Sequence, residues 1–300
     1  MRVVYCGSGW WPLVDRLRAL LPDGVTLEVW AQKGPMAAAI AGAQVVLPSN
    51  AGLSGVLIQE TPSLRLIQQP AAGYDGIDLA IAQALGVPVC NAPGTNGASV
   101  AEAALFLILS LARRAKWVPT AFAEAQIGAP VGRELRGRRL LIIGRGQSGS
   151  ALARAADGLG LRVTSLGRGT SRVELHAALA QADLVSLHCP LDEATRGLLD
   201  DQAFAALPNG AWVINCARGP IIDRGALERA LASGRLGGVG LDVYWQEPWD
   251  PTDPLYAHPE VITLPHVAGS TEESLDRIAA LVAENLRRLQ AGAPLLHRVA

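Results

Sequence analysis

Three short stretches, INCARGPIID, LDVYWQEP and TLPHVAGST, each place one ionisable side chain just past an apolar run: Arg218, Glu247 and His266. A histidine titrates near neutral pH, so it can give or take the proton of a hydroxyl group. A carboxylate against its other ring nitrogen orients the imidazole and stabilises the cation. An arginine fork holds a substrate carboxylate bidentately and polarises a carbonyl beside it. The three types together suit hydride transfer to or from a carbonyl carbon. Singly, each has a plainer reading: Arg218 as a helix-cap or salt-bridge residue, Glu247 as a surface charge before Pro248, His266 as a satisfied core polar group.

A second chemical signal lies upstream. LLIIGRGQSGSALARAADGLG carries Gly144, Gly146 and Gly149 in G-x-G-x-x-G spacing, after an apolar strand and at the head of an alanine-rich helix. That context predicts a dinucleotide site: a tight turn at Gly144, close pyrophosphate approach at Gly146 and close helix–strand packing at Gly149. A tight turn without ligand is the alternative. YCGSGWWP, with Gly7 and Gly9, lacks the third glycine and puts Trp10 and Trp11 where small residues should admit a phosphate, so it reads as an ordinary βα turn. The fingerprint asks for an acid about 20 residues on, to bind the ribose 2′-hydroxyl. Gly167 and Arg168 stand there instead. A guanidinium suits the 2′-phosphate of NADP, with Arg172 able to assist; Arg168 as a solvated loop charge with NAD bound less selectively is the other reading.

The elements that must carry these residues alternate. RVVYC, TLEVW, AQVVLP, LRLIQQ and VPVC read as strands with helical segments between them, and a second series runs from RRLLIIG through LRVTSLG, ADLVSLHCP, AWVINCA and GGVGLDVY to EVITLP. Such βα alternation predicts parallel sheets, six strands making a doubly wound one. Ser270 and Glu273 form a possible capping box for a last helix with Leu275, Ile278, Ala279, Val282, Leu286 and Leu289 on one face and Gly292 as its stop, long enough to pack across two domains. Residues 117–136, without clear period and with two prolines, read as a connector or arm.

Composition bounds the classes. At 300 residues two domains are expected, since a domain averages roughly 150. The chain is 50% hydrophobic and 18% charged with a net charge of −1, which offers no field for nucleic acid or an anionic membrane. Cys6, Cys90, Cys189 and Cys216 are far apart in apolar stretches, so buried thiols of a reduced, cytoplasmic protein are expected, with no zinc site. The N-terminal apolar run is too short for an export signal. VAEAALFLILSLA, residues 100–112, is too short to span a bilayer and reads as a buried helix.

The motifs AAGYDGIDL, NAPGTNGASVAE, ELRGRRLLIIGRGQSG, VSLHCPLDEATRGLL, INCARGPIIDRGALERAL, GLDVYWQEP and LPHVAGST, in this order over nearly the whole chain, resemble the D-isomer-specific 2-hydroxyacid dehydrogenase family. The resemblance implies Arg218 as anchor of the substrate carboxylate and carbonyl, Glu247 as partner of the histidine and His266 as general acid/base. It implies backbone N–H groups of Ala72 and Gly73 for the carboxylate, Asn96 and Val100 near substrate and nicotinamide, and Asp242 on the nicotinamide carboxamide. Gly144, Arg145, Gly146, Gln147, Ser148, Gly149, Arg168, His188, Pro190, Thr195, Cys216 and Ala217 complete the implied cofactor site. It further implies an α/β protein of two doubly wound, parallel-sheet (Rossmann-like) domains with a cleft between them: 1–97 plus 270–300 a flavodoxin-like substrate-binding domain, 98–269 a dinucleotide-binding domain. A homodimer follows, with the helix from Val100 and the arm after Trp117 as its candidates.

The Gly167-Arg168 pair is similar to that of NADPH-preferring glyoxylate/hydroxypyruvate reductases of the family. This implies NADP(H) preferred, NAD(H) possible, and reduction of a small 2-oxoacid to the D-2-hydroxy acid. An NAD-dependent D-2-hydroxyacid or phosphoglycerate dehydrogenase is the alternative; the end at Ala300 leaves no room for the regulatory domain of longer phosphoglycerate dehydrogenases. A non-enzymatic dinucleotide sensor, like the corepressors that share these motifs, is a second. Trp245 and Trp249 either wall a substrate pocket or pack a loop, and Tyr74 is similarly placed.

Overall fold

The computed structural model describes every residue except Ala31. The chain divides into two compact units, Met1–Asn96 with Ser270–Ala300, and Gly97–Gly269. In the first, β1 (Arg2–Tyr5), β2 (Thr26–Val29), β3 (Val45–Leu47), β4 (Leu66–Gln68) and β5 (Val89–Cys90) form a parallel sheet in the order β2-β1-β3-β4-β5. Side chains alternate between its faces, as strand geometry requires. Val3 and Tyr5 join a core with Leu13, Val14 and Leu17 of the helix Trp11–Leu20, whereas Val4 and Cys6 join one with Ile40, Ile58 and Ala82. Both faces of the inner strands β1 and β3 are covered, which is why these read as continuous apolar runs, whereas the edge strand β2 leaves Thr26 and Glu28 exposed.

The second unit holds β6 (Arg139–Ile143), β7 (Arg162–Leu166), β8 (Leu184–Leu187), β9 (Ala211–Asn215), β10 (Leu236–Leu241) and β11 (Val261–Thr263), all parallel, in the order β11-β10-β9-β8-β6-β7. Leu141, Val185, Val213 and Leu241 face the helices Arg172–Leu179, Asp201–Ala206 and Arg224–Ala232; Leu140, Leu184, Trp212 and Ile214 face the helices Gly97–Ala112 and Gln147–Gly158. The chain leaves β7 through the helix Arg172–Leu179 and returns as β8 on the far side of β6. The strand order therefore reverses between β6 and β8, and β7 stays an edge strand.

The apolar segment 100–112 lies within the helix Gly97–Ala112 and buries Ala101, Ala104, Leu107 and Ile108. Among the described residues no helix is long and apolar enough to cross a membrane. The arm is more ordered than its sequence reads: a 3-10 turn, Ala115–Trp117, runs into the helix Val118–Ala123. Pro119 sits in the first helical turn, where a missing N–H costs nothing, so the proline that looked like a breaker starts the helix. Lys116 anchors the turn: its Nζ donates to the carbonyls of Tyr256, Ala257, His258 and Val261 at 3.3, 3.2, 2.7 and 3.1 Å.

The last helix, Glu272–Ala291, starts one residue later than its capping pattern predicts. Thr271 is the N-cap and its side chain accepts from the Ser274 N–H, while the Ser270 hydroxyl accepts from the Trp10 indole N–H at 2.8 Å. Gly292 ends the helix in the left-handed region. Its apolar face, Leu275, Ile278, Ala279, Val282 and Leu286, closes one core of the first unit. Asn285 fixes its position on that core. Fully buried, it donates to Gln68 Oε1 at 2.6 Å and to the Leu296 carbonyl at 3.0 Å, and accepts from the Leu296 N–H at 2.8 Å. Replacement by a leucine of similar size strands a buried amide N–H and a glutamine oxygen. Asn285→Leu is therefore expected to lose about 2–4 kcal/mol of unfolding free energy in urea titration, and a loss under about 0.5 kcal/mol would refute this accounting.

Candidate active site

The carboxyl ends of β9, β10 and β11, three neighbours in the sheet, lead directly to Arg218, Glu247 and His266. The chain leaving β9 turns at Asn215, whose side chain accepts from the Ala217 N–H and donates to the Arg218 carbonyl at 3.0 and 2.8 Å. Arg218 Nη1 donates to the Ala217 carbonyl at 2.8 Å. Gly219 follows because a Cβ there would lie 2.1 Å from the Tyr244 carbonyl carbon; its absence lets the β9 and β10 loops touch.

Glu247 and His266 meet at 2.6 Å between Oε2 and Nδ1, with both side chains about three-quarters buried. The other glutamate oxygen accepts from the Tyr244 N–H at 3.1 Å. Burial pushes the Glu247 carboxyl up, but the hydrogen bond and charge of His266, the Tyr244 N–H and the Arg218 charge outweigh it and hold it below the usual value. His266 itself has φ of 51°, a left-handed conformation that a residue with a Cβ adopts only when its surroundings impose it. Asp242 imposes it. Fully buried, its oxygens accept from the N–H groups of Val267 and Ala268 at 2.8 and 3.0 Å, and burial holds its carboxyl above the usual range despite these bonds. Tyr244 adds a second tie, its hydroxyl donating to the Leu264 carbonyl at 2.6 Å.

The glycine loop lies past β6 on the same edge. A Cβ on Gly149 would sit 2.0 Å from the Gly144 oxygen, so helix and loop touch only because 149 is glycine, while Gly144 has φ of 118° and lies against the His188 backbone, where a Cβ would come within 2.4 Å. Gly146 is the N-cap of the helix Gln147–Gly158 and has no side chain to satisfy its first N–H groups; its Cβ position is open space. Ser148 is hydrogen-bonded to His188 Nδ1 at 3.1 Å, and Ser186 to His188 Nε2 at 2.9 Å; burial lowers His188 to about 4, so its ring is neutral. Thr195 Oγ1 donates to the Pro190 carbonyl at 2.7 Å, closing the turn after β8. Cys216 is buried beside Ala217 after β9, and burial pushes its thiol up. Arg168 follows β7, exposed, and makes no ion pair or hydrogen bond among the described residues. Arg172 does not assist it: its guanidinium is held by the Leu198 carbonyl at 2.7 Å and by Asp200 at 2.5 Å.

In the other unit, Ala72 and Gly73 sit half-buried after β4, their carbonyls accepting from the Asn91 and Gln69 amides at 2.7 and 2.9 Å. Asn96 is half-buried at the end of that unit, and Val100 lies in the first turn of the helix Gly97–Ala112. Trp245 and Trp249 pack a loop: the Trp245 indole donates to the Ile222 carbonyl at 2.7 Å, and the Trp249 ring lies 4.4 Å from that of Tyr244. Tyr74 is exposed.

Residues 105–268 match the family described as D-isomer specific 2-hydroxyacid dehydrogenase, NAD binding domain. The chain belongs to that family. A glyoxylate reductase of Korarchaeum cryptofilum (strain OPF8) is 35% identical over 252 residues, 79% of this chain and 76% of that one. A D-3-phosphoglycerate dehydrogenase of Bacillus subtilis (strain 168) is 36% identical over 81% of this chain and 48% of its own, so the chain spans about half the length of that relative. In structure, the TT0316 protein from Thermus thermophilus superposes with a TM-score of 0.89 at 30% identity, covering 100% of both chains. This D-2-hydroxyacid dehydrogenase is thus an oxidoreductase of two parallel-sheet α/β domains, with a nicotinamide dinucleotide as cofactor and a small 2-oxoacid or 2-hydroxy acid as substrate class. The glycine loop fits that cofactor, since Gly146 leaves the helix N-terminus open to a pyrophosphate.

Two supports escaped sequence reasoning. Asn215 brackets Arg218, for which a polar residue at a strand end able to make an Asx turn was the available signal. Tyr244 bridges the glutamate and histidine loops, a role its sequence position does not announce. The lowered Glu247 value has a consequence for acid stability. A carboxyl held below its value in the unfolded chain contributes stability fully present above about pH 4.3 and lost as pH falls through the folded value. In chemical unfolding, the advantage of wild type over Glu247→Gln should be largest at neutral pH and shrink toward about pH 3; an advantage that stays constant or grows would contradict this.

Proposed function

We propose that the protein is an NADPH-preferring reductase that converts a small 2-oxoacid of the glyoxylate or hydroxypyruvate kind to the D-2-hydroxy acid. The observation that carries the reading is Arg168: it stands beyond Gly167 where an NAD enzyme presents an acid, and no carboxylate among the described residues neutralises it. One charge-assisted contact to a 2′-phosphate contributes about 1.5–3 kcal/mol, or about 10- to 150-fold in affinity. Relatives named glyoxylate reductase support the small 2-oxoacid.

The bound nicotinamide would supply the hydride. The chain does the rest from one sheet edge. Arg218 grips the substrate carboxylate and favours the negative charge that develops on the carbonyl oxygen. His266, protonated and held through Nδ1 by Glu247, donates its Nε2 proton to that oxygen. The Glu247 contact keeps Nε2 aimed at the substrate, while Asp242 and Tyr244 prevent the loop from relaxing.

We also propose a homodimer built on the apolar surface of the helix Gly97–Ala112 and the arm. Phe106, Trp117, Val118, Phe122, Ile127 and Val131 are all exposed, Phe122 at 87%, a concentration of large apolar side chains that a monomer does not keep in water. A Phe122→Asp variant should dissociate toward monomer in sedimentation, and a monomeric wild type would reject the assembly.

His266→Ala and Arg218→Ala should each lower 2-oxoacid turnover by at least about 100-fold while calorimetric cofactor binding survives; near-normal turnover in either would overturn the assignment. Paired kinetics with NADPH and NADH should show a preference for NADPH that collapses in Arg168→Asp. Equal use of both, untouched by the substitution, would make Arg168 a bystander.

A further inference from the structure

We infer that Arg145 is the second arm of a clamp for the 2′-phosphate, and that Gly167 is small so that Arg145 can cross it; this rests on the NADPH reading above. Parallel pairing aligns Ile143 of β6 with Leu166 of β7. Arg145 and Arg168 each stand two positions beyond that pair, so the register sets two arginines side by side past adjacent strand ends. The Arg145 side chain turns away from the open helix N-terminus and lies over the end of β7. Its Nε and Nη2 donate to the Ser165 carbonyl at 3.1 and 2.5 Å, and a Cβ on Gly167 would meet its Cδ, Cγ and Nε at 3.2, 3.6 and 3.7 Å. A Cβ at 167 would press on Cδ and ask the stem to give by a few tenths of an ångström, and a longer side chain there would compete with it for the same space.

One carbonyl thus fixes the guanidinium plane and leaves Nη1 without a protein partner among the described residues. Neither Arg145 nor Arg168 pairs with a carboxylate among them, whereas Arg172, in the helix that follows β7, is held by Asp200 at 2.5 Å. Two unneutralised cations past neighbouring strand ends favour an anion, and a dianion reached by both accepts several charge-assisted hydrogen bonds. The pyrophosphate is not that dianion, because it belongs at the helix N-terminus after Gly146. The end of the second strand is where the ribose 2′ position falls in a dinucleotide fold. The absent acid and the arginine inside the glycine motif are therefore one device: removing the side chain at 167 makes room for Arg145 and deprives NAD of its ribose acceptor.

The test is calorimetric binding of NADP⁺ and NAD⁺ to the full chain and to Arg145→Met and Arg168→Met, with circular dichroism to verify the fold. Arg145 is exposed and contacts only a carbonyl, so methionine keeps the stem without disturbing the core. The ratio of the NAD⁺ to the NADP⁺ dissociation constant should fall about tenfold or more in each variant. A ratio lowered by Arg168→Met but unchanged by Arg145→Met overturns the role of Arg145 and leaves the NADPH reading standing. Equal weakening of both cofactors by Arg145→Met also overturns it, because Arg145 would then serve the adenine or the loop. A wild-type protein that binds both cofactors alike removes the NADPH reading and the clamp together.

Discussion

Parallel pairing is the constraint on which this site depends. Six strands running the same way deliver all their carboxyl ends to one edge of the sheet, so residues as far apart in sequence as Gly144 and His266 emerge on one side of it. The edge is divided by the strand order. The β6 and β7 ends carry the glycine loop and its arginines, and the β9, β10 and β11 ends carry Arg218, Glu247 and His266. The inner strands β6, β8, β9 and β10 are covered on both faces by helices, which gives the ends a rigid base and leaves loops free to vary.

On that base the reactive groups are held by strain and by buried charge. A left-handed histidine costs on the order of 1–3 kcal/mol, which persists only where the surroundings over-determine it. Here they do so through a carboxyl group buried in the apolar interior, whose desolvation two backbone N–H groups offset only in part. The buried carboxylate at Asp242 shapes the loop, and the one at Glu247 holds the ring through Nδ1. Two acids close in sequence thereby take different tasks because one faces backbone donors and the other an imidazole.

Much of this was legible in residue order. The apolar runs located the strands, because a strand buried on both faces has no polar side. The glycine spacing located the loop, since the clash at Gly149 permits no other residue type. Strand-end polar residues located the trio. The short helix in the arm was hidden by Pro119, whose effect reverses between a helix interior and its first turn. The start of the last helix was ambiguous because Ser270 and Thr271 both offer a capping oxygen, and the contact with Trp10, far away in sequence, decides which is used.

By itself the sequence determined the residue types, the periodicity that makes parallel sheets, and the substitution of Gly167-Arg168 for an acid, because these are local properties of the chain. Tertiary structure decided which charges are neutralised. Arg172 looked as available as Arg168 until the fold brought Asp200 to it, and Arg145, read only as part of the cofactor loop, is laid beside Gly167 by strand register. Pairing of charges is a long-range fact: it depends on distances of a few ångströms between residues whose separation in sequence carries no information about them.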